Sequence, residues 1–225
     1  MIGFMASLAA QAIVSAAGGL SPQATALIAP VHAAYQKVEA AQAKLPPART
    51  TSEKLERMLD LDQAGRLAVS DVDFTKLPED QRQGAESSEI TRHDLADQAE
   101  LKTLIPPEGW FRKSVYGEKA AKAAFVIVQH AVNDRDFMRR TLAEIARLVP
   151  QGEADGGEYA LMYDRITLEF DHKPQRFGSQ VFCVQGAWAP KNVEDQTHLD
   201  QLRKAVGLKT TEAEYLKLFG DNACY

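Results

Sequence analysis

His130 stands out among the residues able to move a proton near neutral pH, since an unperturbed imidazole titrates there. It follows directly on Gln129 and the run AAKAAFVIV (residues 120–128), which is apolar on nearly every side and so predicts a central helix. Asp134 lies four residues on and has two readings, as a carboxylate that orients the imidazole or as the cap of the next helix. His93 and Asp97 repeat the His-x-x-x-Asp spacing, and two such pairs on two helices could hold a divalent cation. There is no HExxH and no third strong ligand beside these pairs, so no residue is assigned to a metal and no cofactor is expected. Asp62, Gln63 and Arg66 form a third group. Leu55, Leu59, Asp62 and Arg66 recur at helical spacing, which puts a carboxylate and a guanidinium on an apolar stripe. Asp164 and Arg165, with Gln175 and Gln180 beyond them, form a fourth.

Buried polar groups require partners, so the segments carrying these residues are expected to meet. The expected centre has His130 as general acid or base and Asp62 and Asp164 as further catalytic groups. Gln63, Arg66, Gln129, Arg165, Gln175 and Gln180 would contact substrate. Such a set fits a hydrolase-like enzyme acting on a small polar or anionic molecule. The competing reading is a non-catalytic binding or interaction domain whose polar cluster is a structural hydrogen-bond network, with a small molecule or a protein as partner. Other chemistries find no motif: there is no GxSxG, no P-loop and no dinucleotide fingerprint.

The elements that must position these residues are mostly helical. Ser21-Pro22 opens a helix to about Lys44, with Pro30 expected to kink or divide it. Leu45-Pro46-Pro47-Ala48-Arg49 reads as a linker. A helix over 52–70, capped by Thr51 or Ser52, precedes a loop over 71–86 and a helix over 87–105. Ser114 is expected to cap a single helix to about Val132, and another helix spans 135–149. Ile166-Thr167-Leu168-Glu169-Phe170 alternates like a strand, with Val181–Val184 as its return. Asp195 and the Thr211-x-x-Glu214 capping box start two short closing helices. The expectation is a mainly α (α+β) fold with one small β-hairpin near residues 165–185. The organisation is an apolar segment over 1–20, an Ala-rich helix and Pro linker over 21–50, and a compact domain over 51–225.

Several blocks occur together in a recognisable order: Met58-x-x-x-Asp62-Gln63-x-x-Arg66, Gly109-Trp110, Gln129-His130-Ala131, Asp164-Arg165, and Pro174-Gln175-x-Phe177-Gly178-Ser179-Gln180. This order resembles an uncharacterised family of bacterial domains, over roughly residues 52–216. In that family the last block usually carries Tyr and Thr where this chain has Phe177 and Ser179. The resemblance thus implies no essential phenol at 177, and it brings candidate positions without a reaction.

Composition bounds the partners. The chain has 225 residues, 45% of them apolar and 25% charged, as in ordinary globular proteins. Lys and Arg number 26 against 31 Asp and Glu, a net charge of −5, and this argues against a nucleic-acid surface. No charge precedes Lys37, and residues 2–17 resemble the apolar region of a secretory signal with Ser15-Ala16-Ala17 as cleavage site. The positive segment that normally leads such a signal is missing. Export to the periplasm and residence in the cytoplasm therefore both stay open. Gln11, the serines and Gly18-Gly19 make a poor membrane span, so no firm membrane association is expected. Two cysteines, Cys183 and Cys224, are too few for a disulfide scaffold, and their spacing does not decide whether they pair.

Overall fold

Ser21 caps the first helix by accepting the Ala24 N–H at 3.2 Å, and Pro22 occupies the first turn, where no partner for an N–H is needed. The computed structural model describes residues 19–220. The signal-like stretch over 2–17 and Cys224 therefore lie outside the described residues. Helix α1 (Pro22–Gln42) runs unbroken through Pro30. The carbonyl deprived of a partner there belongs to Ala26, which is exposed and can be hydrated.

The described chain forms two compact units, residues 19–131 and 132–220. In the first, Thr50 caps α2 (Thr51–Val69), with its Oγ1 accepting the Glu53 N–H at 3.1 Å. Helix α3 (Glu79–Leu104) starts well before Ser87. Glu79 and Asp80 sit in its first turn, where they complement the helix dipole, and Gly84 is carried inside it. One helix was expected from Ser114, but two form: α4 (Lys113–Tyr116) and α5 (Glu118–Gln129). Gly117 separates them at φ 84°, a backbone value open to glycine. Helix α2 packs against α1, α3 and α5. Ala24, Ile28, Val31 and Tyr35 of α1 form a core with Leu77 and Ala85. Alanines 120, 121, 123 and 124 and the run Phe125–Val128 of α5 are all buried, as the apolar sequence predicts.

Close approach of α1 to α2 depends on Gly65. A Cβ there would lie 2.1 Å from Cζ and the hydroxyl oxygen of Tyr35. Gly65→Ala is therefore expected to lower stability to urea by about 1–3 kcal/mol, the usual cost of overpacking. Adding Tyr35→Leu, which removes the clashing atoms, should recover part of the loss.

In the second unit, Asp134 caps α6 (Arg135–Leu148) by accepting the Phe137 N–H at 2.9 Å, which is the capping role foreseen for it. Helix α7 (Gly156–Arg165) continues into a π-helical turn over Ile166–Phe170, where a strand was expected. Ile166 and Phe170 are both buried at i,i+4, so their apolar spacing suits a helix face as well as a strand. The guanidinium of Arg135 from α6 lies 4.9 Å from the Phe170 ring centre. The hairpin consequently pairs β1 (Val181–Val184) with β2 (Ala187–Pro190), antiparallel, with Val181 opposite Pro190. Its turn residues Gln185 and Gly186 have φ 52° and 82°, the positive pair a tight two-residue hairpin turn requires. Helix α8 (Leu199–Ala205) follows, and the predicted capping box of Thr211 and Glu214 starts α9 (Glu212–Leu216). Asp195 accepts the His198 N–H at 3.1 Å, just ahead of α8. The fold is mainly α with one small hairpin. Among the described residues no helix is long and apolar enough to cross a membrane.

Candidate functional site

Within the first unit the helices bring Asp62, Gln63, Arg66 and His130 together. Asp62 projects from α2 and is 1% exposed. His130 terminates α5, and its Nδ1 donates to Asp62 Oδ1 at 2.8 Å. One turn along α2, Arg66 Nη1 donates to the same oxygen at 3.0 Å. Gln63 Nε2 donates to Asp62 Oδ2 at 2.6 Å. The other end of the guanidinium grips both oxygens of Asp94 on α3, at 2.7 and 2.9 Å. Arg66 thus ties α2 to α3, and Asp62 ties α2 to the end of α5.

Electrostatics follow from this packing. Burial alone would push the Asp62 carboxyl up, but the His130 contact, Arg66 and Gln63 outweigh it and hold Asp62 below its usual range. Burial pushes the His130 imidazole below its ordinary value, against the pull of Asp62. Together these give an ionised Asp62 accepting Nδ1–H from a neutral ring. Asp94 is pushed up by burial, which Arg66 only partly offsets. On α3 one turn past Asp94, Asp97 is pushed up to about 7 by burial and then by the charges of Asp62 and Asp94.

Asp62, Asp94 and His130 could each offer a cation one ligand atom, all within 4.8 Å of one another. Arg66 already lies against both carboxylates and supplies the positive charge, so an ion would have to displace a well-bonded guanidinium. Of the paired His-x-x-x-Asp motifs, His93 stacks on Tyr35 with ring centres 3.5 Å apart, and its Nε2 lies 2.9 Å from Arg92. Gln129 is buried at the end of α5.

The remaining candidates come together within the second unit. Asp164 of α7 accepts backbone N–H groups from Arg176 at 2.7 Å, Phe177 at 3.0 Å and Ser179 at 2.9 Å. Gln175, fully buried, donates to Gln180 O at 3.0 Å and Lys191 O at 2.7 Å and accepts the Gln180 N–H at 2.9 Å. Gln180 Nε2 donates to Leu161 O at 3.1 Å, and its Oε1 accepts from Arg165 Nε at 3.4 Å. Arg203, 1% exposed, donates to Phe177 O at 2.8 Å, and Tyr215 donates to Ser179 O at 3.0 Å. Here the side chains shape a loop: a buried carboxylate and a buried amide hold the Pro174–Gln180 backbone.

The sequence profile of DUF6624, a family of unknown function, matches residues 50–225. The chain belongs to this family. Neither a curated protein nor a solved structure matches it. The family segment contains every hydrogen bond just described, whereas α1 precedes it. Sequence reasoning missed two residues beside the first cluster. Asp94 shares a helix face with Ile90, Asp97 and Leu101, at i+4, i+7 and i+11 from Ile90, and that spacing was a usable signal. Tyr35 is placed by α1 over Gly65, and no local pattern marks it.

Proposed function

We propose that the first unit carries the reaction centre of a hydrolase-like enzyme acting on a small polar molecule, with His130 as general acid and base. The observation that carries this reading is the 2.8 Å contact from His130 Nδ1 to the buried Asp62 carboxylate. An ionised carboxylate on Nδ1 fixes the tautomer and leaves Nε2 as the basic nitrogen. Nε2 takes a proton from water as the water oxygen attacks the substrate, and returns it to the leaving group as the scissile bond breaks. Arg66 and Gln63 hold Asp62 in place, and Asp94 fixes Arg66.

The burial of Asp62 also suits the second reading, a structural network. Hydrolysis of ester, amide and phosphoester probes by wild type and by His130→Ala separates the two. General acid–base catalysis is worth roughly 10²–10⁴-fold, and the variant should lose about that much turnover. Equal rates in both proteins, with only the melting temperature changed, would leave the network.

A further inference from the structure

Cys183 lies in β1 and takes part in a disulfide. The chain has one other cysteine, Cys224, four residues beyond the described end at Gly220. The described residues show where that end is held. In the hairpin register Cys183 stands opposite Trp188. Residues directly opposite in an antiparallel pair project from the same face, with Cβ atoms about 4.5–5.5 Å apart. The Phe219 ring packs against Trp188 with centres 5.7 Å apart and against Tyr215 at 5.3 Å. Phe219 closes the one-turn helix over Lys217–Phe219 that follows α9. The chain thus arrives at Gly220 beside the hairpin residue that faces Cys183. Four further residues reach up to about 13–14 Å, which brings Cys224 within range of Cys183.

We propose that Cys183 and Cys224 form a redox-closed clasp that fastens the C-terminal segment to the hairpin and so braces the Pro174–Gln180 loop. The clasp does not depend on the reaction proposed for the first unit. What it braces follows from contacts of the same segment. The Tyr215 hydroxyl of α9 donates to Ser179 O at 3.0 Å. The Tyr215 ring centre lies 5.0 Å from the Arg203 guanidinium, and Arg203 donates to Phe177 O at 2.8 Å. Asp164 binds the amides of Phe177 and Ser179, so the same two loop residues are held by their carbonyls from α8 and α9. Helix α9 has five residues, too few to be stable without tertiary anchors. A cross-link just past it removes detached conformations from the ensemble and keeps Tyr215 seated. Closure balances as thiol–disulfide exchange with a small-molecule or protein disulfide. One cysteine thiolate attacks the donor disulfide, forms a mixed disulfide and releases one donor thiol. The other thiolate attacks the chain's sulfur in the mixed disulfide and releases the second. The two cysteines give up two electrons and two protons, and the donor takes up both. A reducing dithiol runs the exchange backwards, so the brace on the loop follows the redox state of the surroundings.

The test uses the full chain, oxidised with glutathione disulfide or reduced with dithiothreitol, beside Cys224→Ser. Free thiols are alkylated before digestion and mass spectrometry. The expected product of oxidation is a peptide containing Cys183 linked to one containing Cys224 within one chain, with neither cysteine alkylated. Reduction should lower the melting temperature by about 5–15 °C, the usual range for losing one disulfide in a chain of this size. It should also speed amide hydrogen exchange over residues 175–180 and 212–219. Cys224→Ser should match the reduced protein in both respects and be indifferent to dithiothreitol. Two alkylated cysteines after oxidation, or a link between two chains, would overturn the proposal. So would a linked chain whose melting or loop exchange is unmoved by reduction.

Discussion

Asp97→Asn is expected to melt at a higher temperature than wild type at pH 8, a rare sign for substitution of a buried side chain. The folded-state pKa of Asp97 is about 7 against an ordinary 3.8, so folding opposes its ionisation. An acid whose pKa is raised on folding binds more protons in the native state, and stability falls as pH rises between the two values. The loss begins near pH 4 and is complete above about pH 7. A gap of some three pKa units at about 1.36 kcal/mol each sets the effect on the order of 4 kcal/mol. Asparagine carries no charge to bury and escapes this cost. For a chain of this size each kcal/mol shifts melting by about 2–4 °C. Calorimetry from pH 4 to pH 8 should find the two proteins close at the acid end and well separated at the alkaline end. Equal separation at every pH would mean that Asp97 does not titrate in this range.

Asp62→Ala should act in the opposite direction and strongly. Its carboxylate is the shared acceptor of His130, Arg66 and Gln63, and removing it leaves the buried guanidinium with Asp94 as its one carboxylate partner, beside the residue-62 carbonyl. Breaking a buried ion pair by deleting one partner costs about 3–5 kcal/mol. The folded pKa of Asp62 lies below its ordinary 3.8, so its contribution is present above that value and lost as pH falls through the folded pKa. The deficit of Asp62→Ala should accordingly be full at pH 7 and shrink in acid. Urea unfolding at pH 7 and pH 3 measures both. Neighbouring carboxylates in one unit thus carry opposite signs: Asp62 holds the fold together, while burying the charge of Asp97 costs stability.

Local chemistry made much of this legible. Ser21, the Thr211–Glu214 box and the all-round apolar character of α5 act through near neighbours, and the structure places them as the sequence predicts. The i,i+4 relation of Asp62 and Arg66 is equally local. What escaped depends on tertiary contacts. Ile166–Phe170 carries a pattern that suits strand and helix alike, and burial of Ile166 and Phe170 at i,i+4 decides between them. The Asp94 grip on Arg66 spans 28 residues, and the seat of Tyr35 over Gly65 requires knowing that α1 lies on α2. Asp164 and Gln175 looked like site residues because their types are costly to bury. Their hydrogen bonds to backbone show what else such residues do, which is to hold an irregular loop that has no ladder of its own.

The proposed reaction needs a neutral His130 whose Nδ1–H is held by Asp62 and whose Nε2 carries no proton. Nitrogen-15 NMR of the ring across pH 5 to 8 reads this directly. The expected result at pH 7 is a protonated Nδ1 and an unprotonated Nε2, with the proton on Nδ1 lost from that position when Asp62 becomes Ala. A ring protonated at both nitrogens throughout, or one carrying its single proton on Nε2, would contradict it.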